Sequence, residues 1–549
     1  MKFQQLVPVL AVLLGKSMVE AKAVFAHFLV GNVPEFSQAD WESDIVLAQA
    51  AGIDGFALNI AAGDTSNGGS LQKAFQAADN KGFKLFFSFD YLAWGAWDQN
   101  AVISLINTYK GRNSYWKQGS QPFVSTFEGT GNANDWRNIK SSTGAFFVPD
   151  YSSLGPQGAV NTGVVDGLFS WDAWPAGAND LTSNGDQQYK SALGGKPYMM
   201  GVSPWFYTDL PGYNKHWVWR GDDLWFDRWQ QVLQIQPEFV EIITWNDYGE
   251  SHYIGPLHDS EFGLFTYGQA PFNYAANMPH DGWRDFLPYL IQRYKTGSAT
   301  ISKEGLTTWY RRNPNTACSA GDVTGNDPGH GQQVIAPSAI LQDRVFYSAL
   351  LSSSATVTVS IGGNSQQGTW ESTPSGGSGI YHGSVPFNGR TGNVVVTISR
   401  GGGNVAQVNG ASITTACQNG IENWNAWVGS ASGSSSGGGG GGGGDPPPPP
   451  PPPPPPSGGN VCTQGTGSGN FVGLCNFACH YGYCPTGVCT CQTYGTQVAL
   501  PPATGQKGYP LVGEADRCAY LGLCSFVYNY GYYPSTACGS DPAGASGCS

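Results

Sequence analysis

Charge is scarce in this chain. Only 12% of its 549 residues are Asp, Glu, Lys or Arg, and the balance is acidic, at −12. Nucleic-acid binding needs a basic face that neutralises phosphates, so that class of partner is disfavoured. Long hydrophobic runs are also lacking. Leu6 to Leu14 is too short to cross a bilayer, and no other stretch reaches the roughly 20 apolar residues a spanning helix needs. No hydrophobic tail of the kind that precedes a lipid anchor closes the sequence. There is no N-x-S/T sequon, so conventional N-glycosylation is not expected, although the Ser-rich linker leaves room for O-linked sugars. Cysteine is nearly absent upstream, with only Cys318 and Cys417 before residue 462.

What is present points outward. Lys2 gives a positive start, Leu6 to Leu14 an apolar core, and Ala21-Lys22-Ala23 an A-x-A site, so residues 1–23 read as a secretory signal. Ten of the 12 cysteines lie between Cys462 and Cys548. That density in an exported segment predicts a disulfide scaffold, and no zinc-finger spacing is clean enough to compete. Aromatics reach 13%, with 18 Trp. An aromatic-rich, charge-poor chain suits a neutral polymer that stacks its faces on rings, although Trp also fills cores.

Composition divides the chain. Residues 428–459 form a Ser/Gly/Pro-rich linker, with glycine from Gly437 to Gly444 and eleven prolines from Pro446 to Pro456. The glycines are flexible and the prolines make a polyproline II rod of roughly 34 Å. Upstream, residues 24–310 alternate strand and helix signals. Strand-length apolar runs occur at Val24–Val30, Gly55–Ile60, Lys84–Asp90, Pro122–Glu128, Ala145–Asp150, Gly167–Asp172, Pro197–Pro204 and Phe239–Asp247. Asp98 can cap a helix carrying Val102, Ile103, Ile106 and Tyr109, ended by Gly111, and another helix runs near Asp222–Gln234. Eight strands alternating with helices predict a (β/α)8 barrel. A doubly wound sheet is the alternative, weakened by the lack of a Gly-rich fingerprint after the first strand. Residues 311–427 carry β-type alternation at Thr356–Ile361 and Val394–Ser399, which predicts a β-sandwich whose ends a Cys318–Cys417 bridge would pin. Residues 460–549 form a small disulfide-rich module with an internal duplication. Gly473-Leu474-Cys475-Asn476-Phe477 recurs as Gly522-Leu523-Cys524-Ser525-Phe526, and Cys489 matches Cys538. Tyr528 and Tyr533 replace Cys479 and Cys484 in the second copy, so those two cysteines are expected to bond each other.

A barrel enzyme builds its site at the C-terminal ends of its strands. Here those ends carry His27, Asn59, Asp90, Glu128, Asp150, Asp172, Asn246 and Asp247. Small residues stand two positions earlier in four strands: Ala57, Ser88, Thr126 and Ser170. Period two puts each pair on one strand face, and that face is expected to point into the barrel. Carboxylates around one mouth suit glycoside hydrolysis, in which one carboxylic acid protonates the leaving oxygen while a second carboxylate activates water or attacks the sugar. Trp94, Trp97, Trp171, Trp174, Trp205 and Trp245 follow strand ends and are candidate sugar platforms. The densest motif is Trp245-Asn246-Asp247-Tyr248-Gly249-Glu250-Ser251-His252-Tyr253, read as the end of strand eight. Gly249 would let the chain turn so that Asp247 and Glu250 both face the site.

The chain resembles the fungal α-1,3-glucanases of glycoside hydrolase family 71, often called mutanases. The resemblance rests on Val24-Phe25-Ala26-His27-Phe28-Leu29-Val30-Gly31-Asn32, Asp54-Gly55-Phe56-Ala57-Leu58-Asn59, Phe87-Ser88-Phe89-Asp90-Tyr91, Asp166 to Pro175, and Trp245 to Pro256. It implies endo-hydrolysis of α-1,3-glucosidic bonds with inversion, and Asp90, Asp247 and Glu250 as the catalytic carboxylates. The roles expected are Glu250 as acid, Asp247 as base and Asp90 as holder of water or sugar, with Asp90 and Asp247 able to exchange roles. Substrate contacts are expected from His27, Asn59, Trp94, Glu128, Asp172, Trp174, Trp205, Trp245, Asn246 and His252. The Cys-rich tail looks like carbohydrate-binding module family 24, which implies α-1,3-glucan binding, with Tyr481, Tyr483, Tyr530 and Tyr532 the aromatics to test. No metal or cofactor is expected. The picture is a secreted monomer, free or wall-associated, whose partner is insoluble α-1,3-glucan rather than nucleic acid or membrane. Two rivals remain: a glycosidase of another linkage and a non-catalytic wall-binding lectin.

Overall fold

A computed structural model describes residues 22–433 and, in the tail, residues 461–467, 472–485, 488–495, 500, 508–511, 520–530 and 537–539. Most of the leader and the Gly/Pro run of the linker lie outside the described residues. The chain divides into two units, residues 1–437 and 438–549.

Each of the eight expected apolar runs contains a strand. They are Ala23–Leu29, Gly55–Ala61, Lys84–Asp90, Gln121–Phe127, Phe146–Phe147, Leu168–Ser170, Tyr198–Val202 and Phe239–Ile242. A helix follows every one of them, from Gln38–Ala50 after the first to Leu287–Thr296 after the eighth. The first strand begins at Ala23, inside the leader as drawn from sequence. Local signals set the helix starts. Ser37 and Asp40 form a reciprocal capping box on the first helix. Asp98 accepts from Asn100 N and Ala101 N to start Gln99–Tyr109 as expected.

The strands pair in parallel with sequence neighbours, and the first also pairs with the eighth. Asp150 bridges Phe127 on one side and Phe169 on the other, which carries the pairing across the short fifth strand and curls the sheet into a barrel. Phe25, Phe86, Phe123 and Phe239 meet inside, with ring centroids 4.8–6.0 Å apart. Each such ring stabilises by about 1.5–3 kcal/mol when fully buried.

That layer fixes which face is inward, because register partners on parallel strands share a face and side chains alternate along each strand. From Phe25 the inward set runs through His27, Ala57, Asn59, Phe86, Ser88 and Asp90. It continues through Phe123, Ser125 and Phe127. The small-residue rule therefore holds for Ala57/Asn59 and Ser88/Asp90. It fails on the fourth strand, where Ser125 and Phe127 face in, Thr126 faces out and Glu128 lies past the strand's end. It fails again on the sixth, where Phe169 partners the inward Asp150 and Trp171 packs on His27 and Phe127 at 4.9 and 4.8 Å. Small size did not mark the lumen there because an aromatic fills it instead.

After the barrel come two four-stranded antiparallel sheets. One holds Gly305–Arg311, Arg344–Leu351, Gly379–Pro386 and Ala426–Ser432; the other holds Thr356–Ile361, Asn364–Gln367, Gly392–Arg400 and Gly403–Ile413. Their facing apolar residues, among them Tyr310, Tyr347, Val359 and Val396, share one core. Cys318 and Cys417 are bonded. This domain is packed on the barrel: Trp205 Nε1 donates to Trp424 O at 3.0 Å, and Trp309 Nε1 to Asp222 O at 2.7 Å.

In the second unit, helices Val472–His480 and Leu521–Asn529 mark the two repeats. Cys475–Cys489 and Cys524–Cys538 are equivalent bridges, each spanning 14 residues. The expected Cys479–Cys484 bridge is present, as is Cys462–Cys491. Tyr483 and Tyr530 are half-buried, packed on Phe526 at 4.5 and 4.8 Å, and Tyr481 lies 5.1 Å from Phe477. Tyr532 falls outside the described residues.

One buried ion pair supports the seventh strand. Arg228 donates to both oxygens of Asp186 at 2.8 and 3.0 Å and to Gly201 O at 2.8 Å, with both side chains almost fully buried. Removing one member leaves a buried charge alone. Asp186→Ala should lower stability by about 3–5 kcal/mol in urea denaturation.

Candidate active site

The Trp245–Tyr253 motif is a loop, not the end of a strand. The eighth strand stops at Ile242, and the chain then folds on itself, with Thr244 N donating to His252 O at 2.9 Å and Ile254 N to Thr244 O at 3.0 Å. Asp247 Oδ1 accepts from Glu250 N at 3.0 Å, which turns both carboxylates to one side. The left-handed residue in this turn is Ser251, φ 59°, rather than Gly249. Gly249 serves close packing, since an added Cβ would stand 3.0 Å from both Leu210 and Leu264.

A hairpin inserted after the seventh strand, Tyr207–Leu210 paired with Lys215–Val218, brings a cation to this loop. Tyr207 N donates to Glu250 O at 3.0 Å. Lys215 Nζ donates to Glu250 Oε1 at 2.6 Å, and His252 Nε2 lies 2.8 Å from Glu250 Oε2. Thr244 Oγ1 lies 3.0 Å from the other nitrogen of His252 and fixes the ring. Burial opposes the charge on Glu250, but Lys215 and His252 outweigh it and hold this carboxyl below its ordinary range. Asp247 moves the other way: burial raises it, and the adjacent Glu250 charge raises it further. Lys215 is raised, first by Glu250 and then by Asp247 and Asp90 as well. Of the three expected catalytic carboxylates, Glu250 touches this ammonium, while Asp247 and Asp90 lie within range of its charge. Glu250 is thereby pushed toward its ionised form and Asp247 toward its protonated form. One oxygen each of Asp247 and Glu250 and one nitrogen of His252 lie within 4.8 Å of one another.

Asp90 is nearly buried. Its Oδ1 accepts from Leu92 N and Ala93 N at 2.8 and 2.9 Å, and its Oδ2 faces Asn59 Nδ2 at 3.5 Å. Asn59 is half-buried, Trp174 is half-buried, and Trp94 stands 71% exposed, so all three are open to a substrate. Five other expected contacts are buried and support the site instead. His27 Nδ1 sits 2.6 Å from Glu241 Oε1. Trp245 Nε1 donates to Asp44 and Trp205 Nε1 to Trp424 O. Asn246 clamps Leu29, accepting from its N–H and donating to its C=O. His252 props Glu250. Buried indoles have no face to offer a sugar, which removes Trp205 and Trp245 as platforms. Glu128 follows the last residue of its strand in a left-handed turn, φ 51°, is half-buried, and accepts from Ser153 N and Oγ. Asp172 is exposed.

Three residues escaped the sequence reading. Lys215 is one; Pro211-Gly212 and Asn214 signalled a turn, but nothing local ties residue 215 to residue 250. Glu241 is another, fully buried beside His27 with its carboxyl raised by burial against the His27 hydrogen bond. Trp219 is the third, stacked on Trp174 with centroids 5.3 Å and planes 20° apart.

The lowered value of Glu250 has a thermodynamic consequence. Its ordinary value is 4.5, so the ion pair stabilises the fold above that pH and the contribution is lost as pH falls through the lower folded value. Lys215→Met should therefore cost stability at neutral pH, and the gap to the unaltered protein should close as pH drops below 4.5. Thermal melts across pH 3–7 check this (roughly the range carboxylates titrate over).

Comparison with known proteins agrees with this chemistry. The family model described as glycosyl hydrolase family 71 matches residues 20–439. A mutanase of Penicillium rubens is 36% identical over 360 residues, 63% of this chain and 77% of that protein. A glucan endo-1,3-alpha-glucosidase of Schizosaccharomyces pombe is 34% identical over 427 residues, 74% of this chain and 94% of that protein. An ascus wall endo-1,3-alpha-glucanase of the same yeast is 30% identical over 299 residues. With a barrel, a mouth of three carboxylates and a match across most of its length, this chain belongs to glycosyl hydrolase family 71.

Proposed function

We propose that this glycoside hydrolase is a secreted endo-hydrolase of α-1,3-glucosidic bonds in α-1,3-glucan. The named relatives support the linkage, and the observation that carries the chemistry is the contact of Lys215 with Glu250, with Asp247 and Asp90 within range of its charge. In the proposed reaction Asp247 gives its proton to the glycosidic oxygen as the C1–O bond breaks. Glu250, kept ionised by Lys215 and His252, takes a proton from the water whose oxygen bonds to C1. Asp90, pinned by two backbone N–H groups, offers its other oxygen to that water or to a sugar hydroxyl. Asn59, Trp94 and Trp174 line the cleft.

The stereochemical course follows the separation of the pair in action: inverting pairs are typically about 6.5–9.5 Å apart and retaining pairs about 5–5.5 Å. The family resemblance implies inversion. Anomeric NMR of the first products separates the two: β-anomers mean inversion, α-anomers retention. Reducing-sugar release from insoluble α-1,3-glucan should fall by about 100-fold or more in Glu250→Gln. Retained binding with no release by the intact protein would mean a lectin; neither binding nor release would mean another linkage.

The remaining architecture fits an enzyme of insoluble polymer. We read it as a (β/α)8 barrel, a β-sandwich, a Gly/Pro linker and a glucan-binding tail resembling carbohydrate-binding module family 24, behind a leader at residues 1–23. A tethered module raises the local concentration of the enzyme on its polymer. Removing residues 438–549 should reduce activity on insoluble glucan more than on soluble oligosaccharides; equal losses would contradict that role.

A further inference from the structure

Part of the barrel's mouth is built by the second domain. The connection between its strands Gly305–Arg311 and Arg344–Leu351 returns to the barrel, and its base is tied by Cys318–Cys417. Thr324–Gly325 pairs in parallel with Trp217–Val218, adding a third strand to the hairpin that carries Lys215. Asn326 N donates to Val218 O at 3.0 Å, and Asn326 Oδ1 accepts from Gly177 N at 2.6 Å, on the loop that bears Trp174. Gly325 and Ile335 exchange backbone hydrogen bonds and close the segment into a loop. At its tip Gln332 Oε1 accepts from Trp219 Nε1 at 2.8 Å and from Asp327 N at 3.0 Å.

Trp219 is the side chain this contact fixes. It stacks on Trp174, whose ring lies 5.4 Å from His252, the partner of Glu250. Trp174 is itself held by Nε1 donating to Trp205 O at 2.8 Å. Both indoles are half-buried, so each keeps surface for a ligand. A glucosyl ring carries no charge, and its apolar C–H face gains most from a flat, fixed aromatic surface beside the reacting bond. An indole free to rotate must be ordered when the sugar arrives, and that ordering costs affinity. The indole N–H is the handle that sets the ring's orientation.

Resting on the hydrolase reading above, we infer that Gln332 is a positioning residue for substrate: from the second domain it locks Trp219 against Trp174 as a platform for a glucosyl unit next to the catalytic carboxylates. The second domain is then a wall of the cleft.

The test uses the full chain and soluble α-1,3-linked gluco-oligosaccharides. Gln332→Ala should raise KM about 5-fold or more, the worth of one neutral hydrogen bond, with kcat within about 2-fold. Gln332→Glu keeps an acceptor oxygen for the indole and should restore KM. In the Glu250→Gln background, the oligosaccharide Kd from tryptophan fluorescence should rise by the same factor for Gln332→Ala, a readout that needs no turnover. An unchanged KM and Kd in Gln332→Ala would overturn the inference. So would equal falls in kcat and melting temperature for the Ala and Glu variants, which would make the contact structural only. Loss of turnover in the unaltered protein would instead overturn the hydrolase reading, and the Kd comparison would still decide the role of Gln332.

Discussion

Asp247 and Glu250 stand three residues apart on one turn and repel, and Lys215 beside Glu250 offsets that repulsion. Like charges at short range push protons onto at least one member, whereas a cation within hydrogen-bond distance keeps another ionised. Lys215 acts on Glu250 directly at 2.6 Å and on Asp247 and Asp90 through space. The ammonium pushes Glu250 toward its ionised form, while burial and the Glu250 charge push Asp247 toward its protonated form. A general acid and a general base need that division. The Lys215 side chain is 41% exposed and Glu250 only 14%, so the cation sits where an arriving sugar would meet it.

Everything else in the site keeps that pair in place. The loop from Thr244 to Ile254 is closed by its own backbone hydrogen bonds and anchored by Tyr274, whose hydroxyl donates to Gly249 O at 2.6 Å. Trp245 and Asn246, which look like ligand contacts in the sequence, bind Asp44 and Leu29 and secure the loop to the first strand and its helix. Below them the buried His27–Glu241 pair fills the lumen between the carboxylate layer and the Phe layer. The hairpin that carries Lys215 is braced by the second domain, so the electrostatics of the mouth depend on a strand contributed by residues 324–325.

The barrel was legible because its strands are short apolar runs at regular spacing, and each run proved to hold a strand. Side-chain direction was legible only where local pattern and barrel register agree. Ala57/Asn59 and Ser88/Asp90 were read correctly; Thr126/Glu128 and Ser170/Asp172 were not, since Phe127 and Trp171 take the inward places. Asp90, Asp247 and Glu250 were singled out by the family resemblance, carried by the motifs in which they sit. The tryptophans misled, since an indole near a strand end looks the same whether it faces a sugar or a core, and Trp205 and Trp245 face cores. Lys215 and Gln332 were invisible for a different reason. Their partners, Glu250 and Trp219, lie 35 and 113 residues away, a distance only the fold closes. In the tail the duplication pointed to one bridge, Cys479–Cys484, because those two cysteines vanish together; the other pairings were not legible.

Whether Lys215 sets the proton is tested most directly by the pH dependence of kcat/KM. That ratio reports the free enzyme's essential acid and base. If Glu250 is the base and Lys215 holds it ionised, the acid limb lies at low pH in the unaltered protein and moves toward neutral pH in Lys215→Met. An acid limb that stays in place when the ammonium is removed would contradict the account.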